Sequence, residues 1–414
     1  MQVAVIGAGV IGTCTAYFLA AAGHQVVVLE RYGNVAQEAS FANAGLVSPG
    51  LAGPLVVPGA PRGLAAWLSR PETPVAIRPE ARPALWRWLR RWNDESGLDQ
   101  LLVNKERAQR LTRYSQLLLA ALRDHHQLPI EQTTGILQLF RTPREQQMAE
   151  PFLELLAEGG VAHRHVDPDA ARQIEPALSD ATPLAGAILL PADESGNCAL
   201  FTRQMRTICQ DAGVEFHFNS EVGHIAAEAN RVRFRIEERE FSADALVIAA
   251  GAQSGHLLGE VAPALPLFPV TGFSATANIR NYDGAPLAAV YDDSCQVAIT
   301  RIGNRVRIAG GFQPGRNDTA LDPSALAALI KCGEDWFPDA SNYNNASFWS
   351  GACATLPDGV PVLGKTAAPN VLVNIAHGRH GFAMAAGAAK ITADLLSGQE
   401  PEIDINGLTL ARYG

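Results

Sequence analysis

Gly7, Gly9 and Gly12 form a Gly-x-Gly-x-x-Gly turn, and Glu30 ends the apolar run that follows it. Glycines at this spacing hold a dinucleotide: Gly7 permits the tight turn, Gly9 lets backbone N–H groups approach a pyrophosphate, and Gly12 lets the helix pack close to the strand. The diphosphate, with its neighbours Val10 and Ile11, then meets the partly positive helix N-terminus. Glu30 falls where a carboxylate accepts from a ribose hydroxyl and repels a 2′-phosphate, which favours FAD or NAD over NADP; Arg31 follows it. A glycine-rich turn without a ligand is the weaker reading, because the fingerprint lies between two apolar strands, Gln2–Ile6 and Gln25–Leu29, with the acid in register.

Two later segments return to the same site. Residues 244–251 form an apolar strand ending at Ala250-Gly251, where small side chains permit close backbone approach to a nucleotide. Residues 370–376 form another, followed by His377-Gly378-Arg379-His380-Gly381 and a small-residue helix over 382–397 that begins with Phe382. The start of that helix is a second partial positive charge, suited to the negative charge that reduced flavin carries at N1 and the C2 carbonyl. Late returns of this kind are the habit of flavoproteins, whereas nicotinamide enzymes keep the unit within one continuous domain.

Composition excludes several classes. The 414 residues carry 47% hydrophobic side chains, enough for a large core in two joined domains, and a net charge of −9 offers no basic stripe for nucleic acid. Cys14, Cys198, Cys209, Cys295, Cys332 and Cys353 show no Cys-x-x-Cys pair and no zinc spacing, so no metal is expected and reduced thiols are. The first strand starts at Gln2, which leaves no room for a signal peptide, and no apolar run reaches spanning length. The expected location is cytoplasmic, with peripheral attachment to the inner membrane left open.

The intervening chain reads as a second domain. Residues 50–83, with Pro54, Pro58, Pro61, Pro71, Pro74, Pro79 and Pro83, are expected to run as a long excursion over the active site. Its apolar stretches, 51–57 and Trp67-Leu68, suit packing on its own domain better than docking on a membrane or partner subunit. A long amphipathic helix over 105–126 follows, with Leu111, Leu118 and Leu122 on its apolar face. The tryptophan–arginine cluster from Trp86 to Trp92 fits a packed helix with snorkelling arginines rather than a nucleic-acid platform, given the acidic balance. Segments 134–140, 186–190, 268–276, 296–301 and 305–309 build a substrate sheet, 197–212 a returning helix and 214–218 a strand. The expected division is 1–50, 192–258 and 352–414 for the cofactor domain against 51–191 and 259–351 for the substrate or cap domain.

Residues 40–50, Ser-Phe-Ala-Asn-Ala-Gly-Leu-Val-Ser-Pro-Gly, resemble the signature after the second strand in the bacterial D-amino acid dehydrogenase small subunit family, part of the D-amino acid oxidase superfamily. Segments 135–142, 190–196, 298–301 with Asn304-Arg305, 357–364 and 377–398 match in the same order, so the resemblance covers nearly the whole chain. It implies an α/β fold in which a Rossmann-like FAD-binding domain is interleaved with an α+β substrate domain on an antiparallel or mixed sheet. It implies FAD contacts from Ser40, Asn43, Ala44, Gly45 and Leu46, a backbone contact to adenine from Val222, and contacts from Gly378, Arg379, His380, Gly381 and Phe382. The implied activity is oxidation of a D-amino acid or a cyclic secondary amino acid, such as D-proline or hydroxyproline, to an imino acid by hydride transfer to flavin N5, with a quinone or protein as electron acceptor. Alternatives are the flavin subunit of a multi-subunit hydroxyproline or opine dehydrogenase, and a non-catalytic electron-transfer flavoprotein with partner subunits.

Two positions depart from the family. Cys353 stands where relatives place the arginine that grips the substrate carboxylate, and a thiol cannot form that bidentate pair. Leu51 stands where they place a tyrosine. Arg379, in the turn against the flavin, is the preferred substitute, with Arg301 on the substrate sheet and Tyr291 as a hydroxyl donor beside it. His377 and His380 flank Arg379 and are expected either to tune the flavin or take an amine proton, or simply to bond backbone. His125-His126 reads as a solvated helix end, and covalent flavin attachment at Cys353 is the weaker reading of that thiol.

Overall fold

The computed structural model describes residues 1–55, 74, 83–259, 261–262, 264–315 and 320–413. A six-stranded sheet runs, in spatial order, Val362–Lys365, Val371–Ile375, Ala245–Ile248, Gln2–Ile6, Gln25–Leu29 and Glu215–His217. All neighbours are parallel except the first pair. Its central strands are almost wholly Val, Ile, Leu and Ala and, past Gln2, are buried, because helices cover one face and a small three-stranded sheet with a short helix, Ser254–Leu258, covers the other. Helices Val10–Ala21 and Gly381–Ser397 pack on it, joined to the strand Val371–Ile375 by Asn374 Nδ2 donating to Thr15 Oγ1 at 3.1 Å.

The second sheet has the order Ser347–Thr355, Phe268–Asn278, Arg305–Pro314, Val297–Ile302, Ala289–Asp292, Thr133–Phe140, Gly186–Ser195 and Leu46–Val47, with Arg164–Val166 also paired to Gly186–Ser195. It is mixed: only Ala289–Asp292 and Thr133–Phe140 run parallel. Helix Pro323–Trp336 buries its apolar face on this sheet, and Trp336 Nε1 donates to Asp292 Oδ2 at 2.6 Å. The expected domain boundary at 351/352 falls inside the strand Ser347–Thr355, which belongs whole to this sheet. Leu46–Val47 matters most for the site, since it ties the loop after the second cofactor strand to Glu194 and Ser195 of the substrate sheet.

Several elements differ from the sequence reading. The strand expected over 186–190 continues to Ser195, past a register shift opposite Thr134 and Ile136. The strand expected from Gln296 starts at Val297, because Gln296 takes a left-handed φ of 55° in a hairpin turn. The long helix spans Leu98–His126 and so starts earlier than expected. A three-stranded sheet, Val222–Ala227, Val232–Ile236 and Arg239–Ala243, and the helix Pro143–Glu158 were not anticipated, although Val232–Ile236 alternates apolar and polar residues and Thr142 with Glu145 forms a capping box. The tryptophan–arginine cluster does form a packed helix, Pro83–Asp94, with Trp88 and Trp92 buried and stacked at 6.5 Å while the arginines face out.

Of the proline-rich excursion, residues 50–55 and Pro74 are described, and the Phe312 N–H donates to the Pro74 carbonyl at 3.1 Å. Residues 56–73 and 75–82, including Val57 and Trp67-Leu68, lie outside the described residues. No helix among the described residues is long and apolar enough to cross a membrane.

Candidate active site

A cavity of about 880 Å³ lies between the two sheets. At its nucleotide end the strand Gln2–Ile6 turns at Gly7, whose φ of 103° excludes most side chains, into the helix starting at Val10. A Cβ on Gly12 would collide with the Gly7 carbonyl, so Gly12 sits behind the cavity and packs the helix against the turn, while Gly9 faces the cavity. Glu30 ends the second strand, 9% exposed, with Ala8 N–H donating to Oε2 at 2.7 Å and Tyr32 N–H to Oε1 at 2.9 Å. Burial pushes its carboxyl upward, and these two backbone donors oppose the shift. The carboxylate is thus fixed in orientation, with lone pairs left for a diol. Arg31 pairs with Glu38 beside it, and Val222 joins the same end.

The middle of the cavity is lined by Val10, Ile11, Ser40, Asn43, Ala44, Gly45, Leu46, Ala250 and Gly251. Ser40 Oγ accepts from the Val10 N–H at 3.0 Å, which brings the loop against the helix N-terminus. Gly45 has no room for a Cβ against the Gly196 carbonyl, and Arg307 Nη1 donates to the Asn43 carbonyl at 3.0 Å. This loop is held from the substrate-sheet side.

At the far end the turn Gly378–His380 projects from the strand Val371–Ile375 toward the substrate sheet. Arg379 Nη1 donates to the Tyr291 hydroxyl at 3.0 Å and to Gln296 Oε1 at 3.2 Å, and Tyr291 in turn donates to Gln296 Oε1 at 2.7 Å. Arg379 Nε donates to His380 Nε2 at 3.2 Å. Burial, then the cations Arg379 and Lys105, hold His380 well below the ordinary histidine range, and a bond to the Gly53 backbone opposes this. With Nε2 accepting from Arg379, His380 orients the guanidinium and has no lone pair for an amine proton. Burial depresses His377 to about 3, and its Nε2 has no partner. Gly378, Gly381, Phe382, Leu51 and Cys353 complete the wall; burial pushes the Cys353 thiol up to about 11.

Arg301 lies on the substrate sheet, as expected, but is not among the described residues that line the cavity. Its side chain leaves the sheet toward the Gly303 turn, bonding the Gly303 carbonyl at 3.4 Å and lying 5.4 Å from the Tyr282 ring. Three polar residues of the substrate end escaped sequence reasoning. Gln296 reaches Arg379 because the hairpin turn reverses its side chain, while Asp293 and Lys105 line an adjoining cavity of about 370 Å³ shared with Arg379, Tyr291 and Gln296. The turn sequence Asp293-Ser-Cys-Gln296 was a visible hairpin signal; nothing local marked Lys105.

A mostly parallel sheet that carries a glycine cradle and the Arg379 turn, joined through one cavity to a mixed sheet that presents Tyr291 and Gln296, is the arrangement of a two-domain flavoenzyme. The chain belongs to the FAD dependent oxidoreductase family, whose sequence pattern matches residues 2–395. A Neisseria meningitidis serogroup C protein named D-amino acid dehydrogenase is 38% identical over 418 residues, covering 100% of both chains. One from Mesorhizobium japonicum, D-amino acid dehydrogenase 1, is 38% identical over 416 residues at the same coverage. The solved structure of glycine oxidase from Geobacillus kaustophilus superposes with a TM-score of 0.79 at 22% identity, covering 100% of this chain and 99% of that one.

The residues fit FAD. The open side at Gly9, the fixed Glu30 carboxylate and the orphaned buried atoms Asn374 Oδ1 and His377 Nε2 in the cavity wall are what a bound dinucleotide would use. The enzyme is an FAD-dependent oxidoreductase.

Proposed function

We propose that this chain is a dehydrogenase that oxidises a D-amino acid, acyclic or cyclic, to the imino acid. The observation that carries this is Arg379, set by Tyr291 and Gln296 at the substrate end of the cofactor cavity, where a carboxylate-bearing substrate needs a cation. The full-length relatives named D-amino acid dehydrogenase support the substrate class.

The bound flavin supplies the two-electron acceptor. The glycine turn and Glu30 hold the adenosine diphosphate, and Val222 offers its backbone to the adenine. Arg379 takes the substrate carboxylate with the guanidinium edge that Tyr291 and Gln296 leave open, so the α-carbon is fixed against the cofactor. Its plane is set by three partners, His380 included, so little ordering remains at binding. Tyr291 stays protonated, since burial pushes its hydroxyl up to about 12. Cys353 likewise stays a neutral thiol and brings no charge. The walls contribute orientation and a fixed electrostatic setting; a quinone or protein takes up the electrons afterwards.

Anaerobic addition of single D-amino acids to the yellow holoenzyme tests this. Bleaching of the flavin absorbance by at least one of them is expected; a flavin that no amino acid reduces would end this reading.

A further inference from the structure

Resting on Arg379 as the carboxylate anchor, the cavity of about 370 Å³ beside it acquires a use. Arg379, Tyr291 and Gln296, with Leu51, Gly53 and Leu55, line both cavities, so the two adjoin at this trio. A carboxylate anchored at that boundary, the doorway the inference requires, would let the α-hydrogen face the cofactor side while the side chain extends to the other. We propose that this second cavity receives the substrate's side chain, and that Asp293 makes it select side chains ending in a positively charged nitrogen.

The wall is apolar along Leu101, Met148 and Phe152, which suits a methylene stem. Its described charged residues are Lys105, Glu145, Asp293 and Arg379. Three of them are already engaged. Lys105 Nζ donates to the Gly50 and Ala52 carbonyls at 2.9 and 3.2 Å; burial and then Arg379 lower its pKa to about 8, and Asp193 and then Asp293 oppose this. Glu145 Oε2 accepts from the Arg141 and Thr142 N–H groups at 3.0 and 3.1 Å, closing the N-terminus of the helix Pro143–Glu158. Arg379 is neutralised by the substrate carboxylate.

Asp293 is different. Neutral amides hold it: Gln138 Nε2 donates to Oδ1 at 2.9 Å and Gln296 Nε2 lies 3.5 Å from the same oxygen. Once the substrate carboxylate occupies Arg379, Lys105 is the cation left to Asp293, its ammonium held to the Gly50 and Ala52 carbonyls, and a carboxylate in a low-dielectric wall favours a further cation. Burial already pushes Asp293 up to about 6, and Asp292 and Glu145 add to that push, so its ionised state at neutral pH is the one a cation relieves. An acidic side chain would meet like charge instead. The class is therefore a basic α-amino acid with a side chain long enough to leave the doorway.

The test is anaerobic rapid-mixing reduction of the holoenzyme, giving dissociation constant and limiting rate for D-lysine and D-arginine against D-norleucine and D-alanine. The basic substrates should bind about tenfold or more tighter than D-norleucine, as a charge-assisted contact implies. Asp293→Asn should bring that preference, the ratio of the D-lysine and D-norleucine dissociation constants measured in the same protein, to within about threefold. Equal binding of D-lysine and D-norleucine by the wild type, or an equal loss on both in Asp293→Asn, would overturn the inference while leaving the proposed function standing. If Asp293→Asn does not load FAD, Met148→Trp fills the cavity instead: binding of both long substrates should then weaken by about tenfold with D-alanine within about threefold, and unchanged long-substrate binding would overturn it. A wild-type flavin that no D-amino acid reduces removes both readings together.

Discussion

Arg379 Nη1 sits 3.0 Å from the Tyr291 hydroxyl, a bond between residues 88 positions apart in the chain. One partner comes from the turn after the last cofactor strand, the other from the middle of the substrate sheet. The contact joins the two halves at the far end of the cavity that both line.

Arg379→Ala should lower kcat/KM for the best D-amino acid by roughly 30-fold or more, because a lost charge-assisted pair costs about 2–5 kcal/mol when its partner stays buried. Flavin content should be unchanged. Arg301→Ala serves as the control and should stay within about threefold, since Arg301 faces the Gly303 turn.

Gly9→Val should yield colourless protein, since the branched side chain enters the cavity beside Ser40, whose Oγ lies 3.2 Å from where a Cβ would be. Gly12→Ala should also fail to load, by forcing the helix off the Gly7 carbonyl. Absorbance of the purified proteins and FAD released on denaturation check both.

The flavin should be released completely by acid precipitation. Cys353 lines the cavity, yet burial keeps its thiol neutral until about 11, and the thiolate is the nucleophile. Yellow colour remaining in the washed pellet, lost in Cys353→Ala, would contradict this.

Folding stability should fall more steeply between pH 7 and pH 5 in the wild type than in His377→Asn. The folded His377 resists protonation down to about 3, whereas the unfolded histidine takes a proton near 6.5, so falling pH favours the unfolded chain. The extra loss in the wild type between pH 7 and pH 5, relative to His377→Asn, should be about 2 kcal/mol, read from urea unfolding at each pH.

Once reduced, the enzyme should pass electrons quickly to an artificial dye or quinone and slowly to oxygen. Stoichiometric peroxide in every turnover, measured with a peroxidase-coupled assay, would make it an oxidase.

The nucleotide end was legible because its chemistry is local. Gly7, Gly9, Gly12 and Glu30 are a continuous strand–turn–helix–strand unit, and backbone geometry alone assigns their places. The substrate end was legible only in part. Arg379 lies at the cavity end, between the glycines that drew attention to it, whereas Arg301 lies on the substrate sheet as expected but points to the Gly303 turn, because a strand pattern gives a face and not the direction of a long side chain at the strand's end. Gln296 hid behind an assumed strand start, and its left-handed backbone is what turns its amide onto Arg379. Lys105 and Asp293 meet only through packing between distant segments, for which a single sequence holds no signal.

The loop 43–47 is stitched to the substrate sheet twice, by Arg307 bonding the Asn43 carbonyl and by Leu46–Val47 pairing with Ser195 and Glu194. The same loop walls the middle of the dinucleotide cavity. Ligand occupancy and the edge of the far sheet are therefore thermodynamically linked: stripping FAD withdraws support from a segment that both halves share. Holoprotein should melt as one cooperative unit, and the apoprotein should expose amides of Gly186–Ser195 to exchange although that strand belongs to the other sheet.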